Sequence, residues 1–209
     1  MAQAATKSTK SDAIEKKKFV TPEGRVSFPQ LFEPKAFGNQ PAKYSMTLLF
    51  PKNADLTVVK QAIKNAAIEE WGDKADAMIA KIKQDPKRWP FHDGDKEKPD
   101  MVGYPGHYYI SASSKATNQP GLVNRSKKPI LDEREFYAGC YARAELIAYA
   151  YDNEFGKGLG FSLQNVQKLR EGEPFTGRRS AENAFDDLEE LEDEAPKSSD
   201  EDDSDSMGF

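Results

Sequence analysis

The sequence predicts a mainly β fold, in the form of a small β-barrel with a helical insertion and a disordered acidic C-terminal tail. Three observations lead to this expectation. Several segments alternate apolar and polar residues with the period of two typical of strands, one central stretch has helical periodicity, and residues 182–209 are strongly acidic. A β-sandwich or an α+β domain remains the alternative, whereas a doubly wound α/β fold would need regularly alternating strands and helices.

The chain begins with a Lys-rich arm and two predicted strands. Residues 1–17 are small, polar and Lys-rich, which predicts a disordered basic arm. Strand-type residues follow from Phe19, and Pro29 and Pro34 are expected to interrupt this strand region. Residues 42–50 predict a second strand with two alternating faces. One face carries Tyr44, Met46, Leu48 and Phe50, and the other carries Lys43, Ser45, Thr47 and Leu49.

The helical insertion comes next. Asp55 is a candidate N-cap, and apolar residues then recur at helical spacing from Val58 to Ala67. Gly72 and Asp73 end this helix, and residues 76–84 predict a second, shorter one. Residues 85–106 are rich in Pro, Gly and charge, so we expect a long irregular loop there.

Four further strands are predicted at residues 107–115, 121–124, 140–151 and 159–168. The segment from Asn153 to Gly156 indicates a hairpin between the last two strands. Five or so strands with a helical insertion midway suit an OB-fold-like barrel. We therefore expect a barrel domain over residues 18–181, followed by an acidic tail over residues 182–209.

The charge of the chain is divided between its two parts. Residues 182–209 contain 13 acidic residues and one basic residue, Lys197, whereas residues 1–181 contain 29 basic and 22 acidic residues. The tail therefore carries −12 and the body +7. A basic body of this kind predicts a polyanion as its partner.

Tyrosines and cations share one face of the strand at 140–151. That face reads Tyr141, Arg143, Glu145, Ile147, Tyr149 and Tyr151, and the opposite face is small and apolar. Unpaired bases stack on aromatic rings and phosphates need cations, so this face predicts binding of single-stranded DNA. The alternative is an ordinary strand face, since tyrosines favour strands in any case.

A second strand and a basic loop extend the predicted binding surface. His107, Tyr109 and Lys115 share one face of the strand at 107–115, Tyr104 precedes it, and a basic loop follows it. A solvated turn is the alternative for the loop. The predicted DNA-binding residues are Lys43, Tyr104, His107, Tyr109, Lys115, Arg125, Lys127, Lys128, Tyr141, Arg143, Tyr149, Tyr151 and Lys168. We expect Trp71 to lie in the core, and Trp89 and Phe91 to cover the core more than to stack on bases.

The acidic tail ends in an aromatic residue, which favours docking over simple solubilisation. The predicted docking residues are Asp200, Glu201, Asp202, Asp203, Asp205 and Phe209. A terminal ring offers a partner pocket a hydrophobic anchor, while basic residues hold the acids. Because its charge is opposite to that of the body, the tail is also expected to compete with DNA until DNA displaces it.

The motifs expected of an enzyme are missing. The sequence has no phosphate-binding Gly-Lys-Ser/Thr loop, and the run Gly156, Gly158 and Gly160 is not followed by a predicted helix. One cysteine and two histidines do not form a zinc set, and Cys140 falls on the small apolar face. No apolar run approaches the roughly 20 residues of a membrane span. We expect a soluble, non-catalytic protein without cofactor or metal.

The chain resembles a tailed-phage family of single-stranded DNA-binding proteins, formerly catalogued as a domain of unknown function. The resemblance covers about residues 19–181 and lies in ordered motifs at 28–34, 43–51, 106–115, 136–143 and 163–168. It implies an OB-fold and a role in phage DNA replication, recombination and repair in the host cell cytoplasm. The tail is similar to tails that recruit replication proteins of phage or host, such as polymerase, helicase or primase.

Two other functions and two further properties stay open at this point. A protein–protein adaptor or a DNA-processing nuclease are the alternative functions, and strand annealing is compatible with DNA binding. A homodimer is also possible.

Overall fold

The computed structural model of the chain describes residues 15, 17–154 and 156–175. The chain divides after Gly177, and every described residue belongs to the first unit, Met1–Gly177. The strands are β1 (Lys18–Val20), β2 (Gly24–Lys35), β3 (Lys43–Pro51), β4 (Phe91–Asp93), β5 (His107–Lys115), β6 (Gly121–Val123), β7 (Tyr141–Asn153) and β8 (Gly156–Arg170). The helices are α1 (Thr57–Trp71), α2 (Ala75–Ile82) and α3 (Gly94–Glu97), with 3₁₀ turns at Gly72–Lys74 and Glu133–Glu135.

Five long strands close into a barrel. β2 pairs with β3, β3 with β5, β5 with β8, β8 with β7, and β7 returns to β2. Only the β5–β8 pairing in this ring is parallel. The short strands β1, β4 and β6 extend the edges of β7, β5 and β8. This closed ring confirms the predicted OB-fold-like barrel with a helical insertion, and the β-sandwich alternative is wrong.

The barrel interior follows the alternation read from the sequence. Met46, Leu48 and Phe50 of β3 are buried with the small residues Ala142 and Ala144 of β7 in one continuous core. Cys140 belongs to the same core. The buried residues Tyr44, Met46, Leu48 and Phe50 share one face of β3, and the sharing of a face is as expected. The predicted faces of β3 and of the first half of β7 are therefore confirmed.

β2 departs from the prediction because it continues through both prolines. The register between β2 and β3 shifts between Ser27 and Gln30 and again before Lys35. A proline has no N–H to donate to a ladder, and a bulge is where a strand tolerates one. The first bulge places Phe28 at a positive φ of 48° and leaves its ring exposed.

The helical insertion lies between β3 and β5. The carboxylate of Asp55 accepts a hydrogen bond from the Thr57 amide at 2.9 Å. The N-cap residue is Leu56, so Asp55 lies one residue before the N-cap position predicted for it. α1 buries Val59, Ile63 and Ala67 and packs against β7. Trp71 packs against the core, as predicted.

The expectation of an irregular loop over 85–106 is wrong in its middle part. β4 adds to the edge of β5, and Asp93 caps α3 by accepting from the Asp95 amide at 3.1 Å. Lys52, just beyond β3, pairs with Asp93 at 2.8 Å and with Asp95 at 2.5 Å. These contacts fasten the segment over one end of the sheet.

Candidate nucleic-acid interface

A groove of about 660 Å³ lies over the outer face of β3 and β5. We call it the β3–β5 groove. Its floor is made by paired small polar residues, with Ser45 opposite Ser113 and Thr47 opposite Ser111 in the ladder. The hydroxyls of Thr47 and Ser111 lie 2.9 Å apart. Short side chains keep this floor low, so the groove stays open between its walls.

Lysines supply the charge of the groove, and no described residue lining it is acidic. The lining lysines are Lys35, Lys43, Lys87 and Lys98. None of them has a carboxylate within ion-pair distance among the described residues. Lys43 also lies directly opposite Lys115 in the ladder, an arrangement in which like charges repel. A polyanion in the groove would relieve this repulsion.

Aromatic side chains form the walls. The lining rings are those of Phe28, Phe37, Trp89, His92, Tyr149 and Tyr151, together with the buried Phe161. Phe37, in the loop between β2 and β3, is 83% exposed. The rings of Tyr149 and Tyr151 are 6.2 Å apart and tilted by 43°. Exposed rings of this kind offer π-faces on which other rings can stack.

Two glycines of β8 allow the tyrosines of β7 to lie over the sheet. Tyr149 pairs with Gly160, and Tyr151 pairs with Gly158. A Cβ at Gly160 would lie 2.8 Å from the Tyr149 ring, and one at Gly158 would lie 2.2 Å from the Tyr151 hydroxyl. The run of glycines noted in the sequence therefore provides space for aromatic rings.

The end of the groove near α3 is supported by a polar cluster of His92, Glu97 and Tyr109, in which only Tyr109 is buried. His92 stacks on Tyr109 with 4.7 Å between ring centroids, and its Nδ1 lies 3.0 Å from the Glu97 carboxylate. Tyr109 Oη donates to the same carboxylate at 3.2 Å. Burial, reinforced by the charge of Glu97, raises the pKa of the Tyr109 phenol. Tyr109 therefore serves as a neutral hydrogen-bond donor within the support.

Lys98 lies above this support. Its Nζ is 4.6 Å from the centroid of the Tyr104 ring, 5.1 Å from that of Tyr109 and 5.7 Å from that of Phe28. Burial lowers the pKa of Lys98 below its usual value. Aromatic faces thus take the place of a carboxylate beside this cation.

The structure places four predicted binding residues at the groove. Lys43, Tyr149 and Tyr151 line it, and Lys115 lies opposite Lys43. His107 lies at the other end of β5, opposite Pro51, with its Nδ1 2.8 Å from the Pro105 carbonyl oxygen.

Three predicted binding residues are buried, so the expectation that they present free surfaces is wrong. Tyr104 is 0% exposed and donates to Ser27 Oγ at 3.2 Å, because the segment after α3 folds over the sheet. Tyr109, at 5%, lies under the same segment. Lys168, at 7%, pairs with inward-facing Ala142, and its Nζ binds Glu171 at 2.6 Å.

Five predicted residues lie on a different surface. Tyr141, Arg143, Arg125, Lys127 and Lys128 are absent from the groove lining. Tyr141 is eight residues from Tyr149 along β7, which corresponds to about 26 Å of strand. The Arg143 guanidinium donates to Gln167 Oε1 at 2.8 Å, and Gln167 donates to the Arg125 carbonyl at 3.2 Å. We call this the β7–β8 surface, and the expectation of one continuous surface is wrong.

Sequence reasoning missed several groove residues. Lys35, Phe37, Lys87, His92 and Lys98 line the groove without having been predicted. Trp89 both packs against the core and lines the groove, while Phe91 packs against the core. The available signal was a cation close to a ring in a loop, as in Lys35 with Phe37 and Lys87 with Trp89.

Among the described residues, no group of three or more metal-ligating side chains is found, and no helix has the length and apolar character of a membrane span. Burial raises the pKa of the Cys140 thiol to about 11. The predicted docking residues Asp200, Glu201, Asp202, Asp203, Asp205 and Phe209 lie outside the described residues.

The sequence is similar to those of known phage proteins. A family model described as "Enterobacter phage Enc34, ssDNA-binding protein" matches residues 17–196. Protein p50 of Acyrthosiphon pisum secondary endosymbiont phage 1 is 38% identical over 176 residues, which cover 81% of this chain and 93% of p50.

Solved structures of the bacteriophage Enc34 single-stranded DNA-binding protein are also similar. The complex with ssDNA has a TM-score of 0.61 and 24% identity, over 77% of this chain and 90% of that chain. Another structure of the same protein has a TM-score of 0.57 and 25% identity, over 82% of this chain and 92% of that chain.

Proposed function

This chain belongs to the family of the Enterobacter phage Enc34 ssDNA-binding protein, and we propose that it binds single-stranded DNA in the β3–β5 groove without catalysing a reaction on it. The observation that carries the proposal is the composition of that groove. Four lysines and a set of aromatic rings line it, and none of its described lining residues is acidic. This is the combination that a flexible chain of phosphates and unpaired bases requires.

The groove accounts for a preference for single strands with little sequence dependence. Bases in a duplex stack on one another, whereas unpaired bases can stack on Tyr149, Tyr151 and Phe37. Lysines act as point charges toward phosphates. A hydroxyl can both donate and accept a hydrogen bond, so the serines of the floor do not favour one base edge over another.

The β7–β8 surface has a secondary place in the proposal. Arg125, Lys127 and Lys128 are exposed and have no ion pair among the described residues. Arg143 is joined to Arg125 through Gln167, and Tyr141 lies two residues before Arg143 on β7. We propose that these residues contact DNA beyond the groove. Substituting them should weaken binding to long strands more than binding to strands that fill only the groove.

The acidic tail and the wider role extend the proposal. Residues 182–209 carry 13 acidic residues and end in Phe209. We propose that this tail competes with DNA for the lysines of the groove and, once displaced, recruits replication proteins of phage or host, such as polymerase, helicase or primase. In this role the protein acts in DNA replication, recombination and repair in the host cell cytoplasm.

Deletion of residues 182–209 tests the tail. The truncated protein should bind single-stranded DNA more tightly at low salt, and the difference should fade as salt screens the attraction. It should also lose its replication partner. Equal affinities at every salt concentration would reject the competition, and retained recruitment would reject the docking role.

A titration with oligonucleotides tests the binding itself. We expect quenching of the protein fluorescence by oligo(dT), weaker binding of a duplex of the same length, and weakening by salt. A protein adaptor would not bind single strands at moderate salt. A nuclease would shorten labelled DNA in the presence of Mg²⁺, and either result would refute the proposal.

A further inference from the structure

A second cavity, of about 800 Å³, lies beside the β3–β5 groove. Phe28 and Lys98 line both cavities, so they stand at the junction between them. Beyond the junction the walls are mostly apolar and are formed by Met101, Val102, Tyr104 and Phe175. We call this cavity the Phe28 pocket. Its size is within the 300–1,000 Å³ range of small-molecule sites.

The backbone at the junction is strained in a way that exposes a large ring. Phe28 has a φ of 48°, and only Lys127 shares a positive φ among the described residues other than glycine. The ring is 54% exposed, although the strand on either side is paired. A bulge that turns a bulky apolar side chain outward at such a φ is typical of a ligand-contact site.

The polar groups of the pocket favour stacking over base recognition. Ser27 is engaged with the Tyr104 hydroxyl at 3.2 Å, and Glu97 is engaged with His92 and Tyr109. These side chains are therefore occupied and do not select a base edge. The Lys98 ammonium group contacts aromatic rings and has no ion pair among the described residues. It can therefore pair with an anion at the junction. Asp100 also lines the pocket, and its negative charge would repel a phosphate and so favour its position beside Lys98.

We propose that the Phe28 pocket holds one unstacked base of the strand that occupies the β3–β5 groove. Phe28 separates this base from its neighbour by stacking, and Lys98 binds the phosphate between them. The inference rests on the proposed function. A nucleobase is the favoured occupant because the pocket shares Phe28 and Lys98 with the groove, and the cation at this junction matches a phosphate.

Filling the pocket tests the proposal. Val102→Trp adds bulk from an exposed wall, and Ala138→Phe adds it from inside the pocket. The probe is oligo(dT) carrying one 2-aminopurine, moved along the strand position by position. The oligonucleotide is just long enough to fill one site, which fixes its register, and with the unmodified protein one position should show a rise in emission and protection from a soluble quencher. Both variants should lose this signal and bind about 10-fold more weakly, the order expected for one lost base contact.

Two further variants distinguish a filled pocket from other causes of weaker DNA binding. Ile68→Trp adds the same bulk on the exposed side of α1 and should change neither signal nor affinity. Phe28→Gly relieves the positive φ, so its melting temperature should be unchanged or raised while its DNA affinity falls. A Phe28 that serves only the fold would leave affinity unchanged.

The outcomes are distinct. If the unmodified protein binds no single-stranded DNA, the proposed function itself fails. If it binds, and both filled variants match it in affinity and emission, the pocket does not hold a base. If filling the pocket changes only the effect of deleting residues 182–209, the C-terminal segment is the occupant and the proposal is overturned.

Discussion

Removing two groove lysines should lower the salt dependence of DNA binding by a calculable amount. Lys43 and Lys87 line the groove from different segments, and neither has an ion pair among the described residues. Each phosphate contact on a single strand contributes about 0.7 to the slope of log K against log salt. The four groove lysines then contribute a slope of about −3, and the double variant Lys43→Ala/Lys87→Ala should reduce this contribution to about −1.5.

The same arithmetic gives the loss of affinity. At 0.1 M salt, counterion release amounts to about 0.7 log units for each contact, or about a 5-fold change in affinity. The double variant should therefore bind about 25-fold more weakly. Its folding should be unaffected, because removing Lys43 relieves the repulsion with Lys115 and breaks no ion pair of the described chain.

The measurement is a titration with oligo(dT) at several salt concentrations, with the fluorescence of Trp89 in the groove wall as a reporter. Lys74→Ala/Lys81→Ala is a matched control, because it removes the same charge from exposed positions that do not line the groove. The control should change the slope little. An unchanged slope in the groove variant, or an equal change in the control, would refute the placement of phosphates on these lysines.

Three further predictions concern individual residues. Gly160→Ala should force the Tyr149 ring aside and weaken oligo(dT) binding several-fold with little change in melting temperature, and Tyr149→Ala should weaken binding more. If both variants bind oligo(dT) as tightly as the unmodified protein, bases do not stack on Tyr149. Cys140 should resist a thiol reagent at pH 8 until urea unfolds the chain, since its thiol stays protonated below a pKa of about 11; labelling of the native protein would contradict its burial. The raised pKa of Tyr109 means that the unfolded chain loses this proton first, so stability should fall as pH rises above about 10, and urea titrations should show a smaller fall for Tyr109→Phe.

Alternation along the strands made much of the barrel predictable. A strand that buries one face must place every second residue inside, and this sorted the residues of β3 into two faces and placed the small residues of β7 in the interior. Helical spacing likewise located α1 and α2 within a few residues of their bounds. The prolines of β2 misled the same reasoning, because a bulge can carry a proline through a strand and no local pattern announces the bulge.

The binding surface was harder to predict, because alternation says whether a side chain points inward or outward but not what covers the outer face. Tyr109 is on the outer face of β5, as expected, yet Tyr104 and the segment after α3 bury it. Lys168 was expected on the outer surface, but its side chain is buried. At its end of β8 the register with β7 shifts, and its ammonium group is drawn to Glu171. Both outcomes depend on contacts between segments that no sequence period encodes.

The parallel pairing of β5 with β8 decides which of the predicted tyrosines reach the groove. Ala112 of β5 lies opposite Phe161, which lies opposite Ala148 of β7. One residue back along β8, Gly160 therefore lies between Ser111 on the groove floor and Tyr149. With a side chain at that position the ring would be kept away from the floor, but over glycine it lies across β8 toward the serines. Tyr141 lies on the same face of β7 as Tyr149, but it pairs with Arg170. The Arg170 guanidinium lies 3.3 Å from the centroid of the Tyr141 ring, and this contact keeps Tyr141 on the β7–β8 surface.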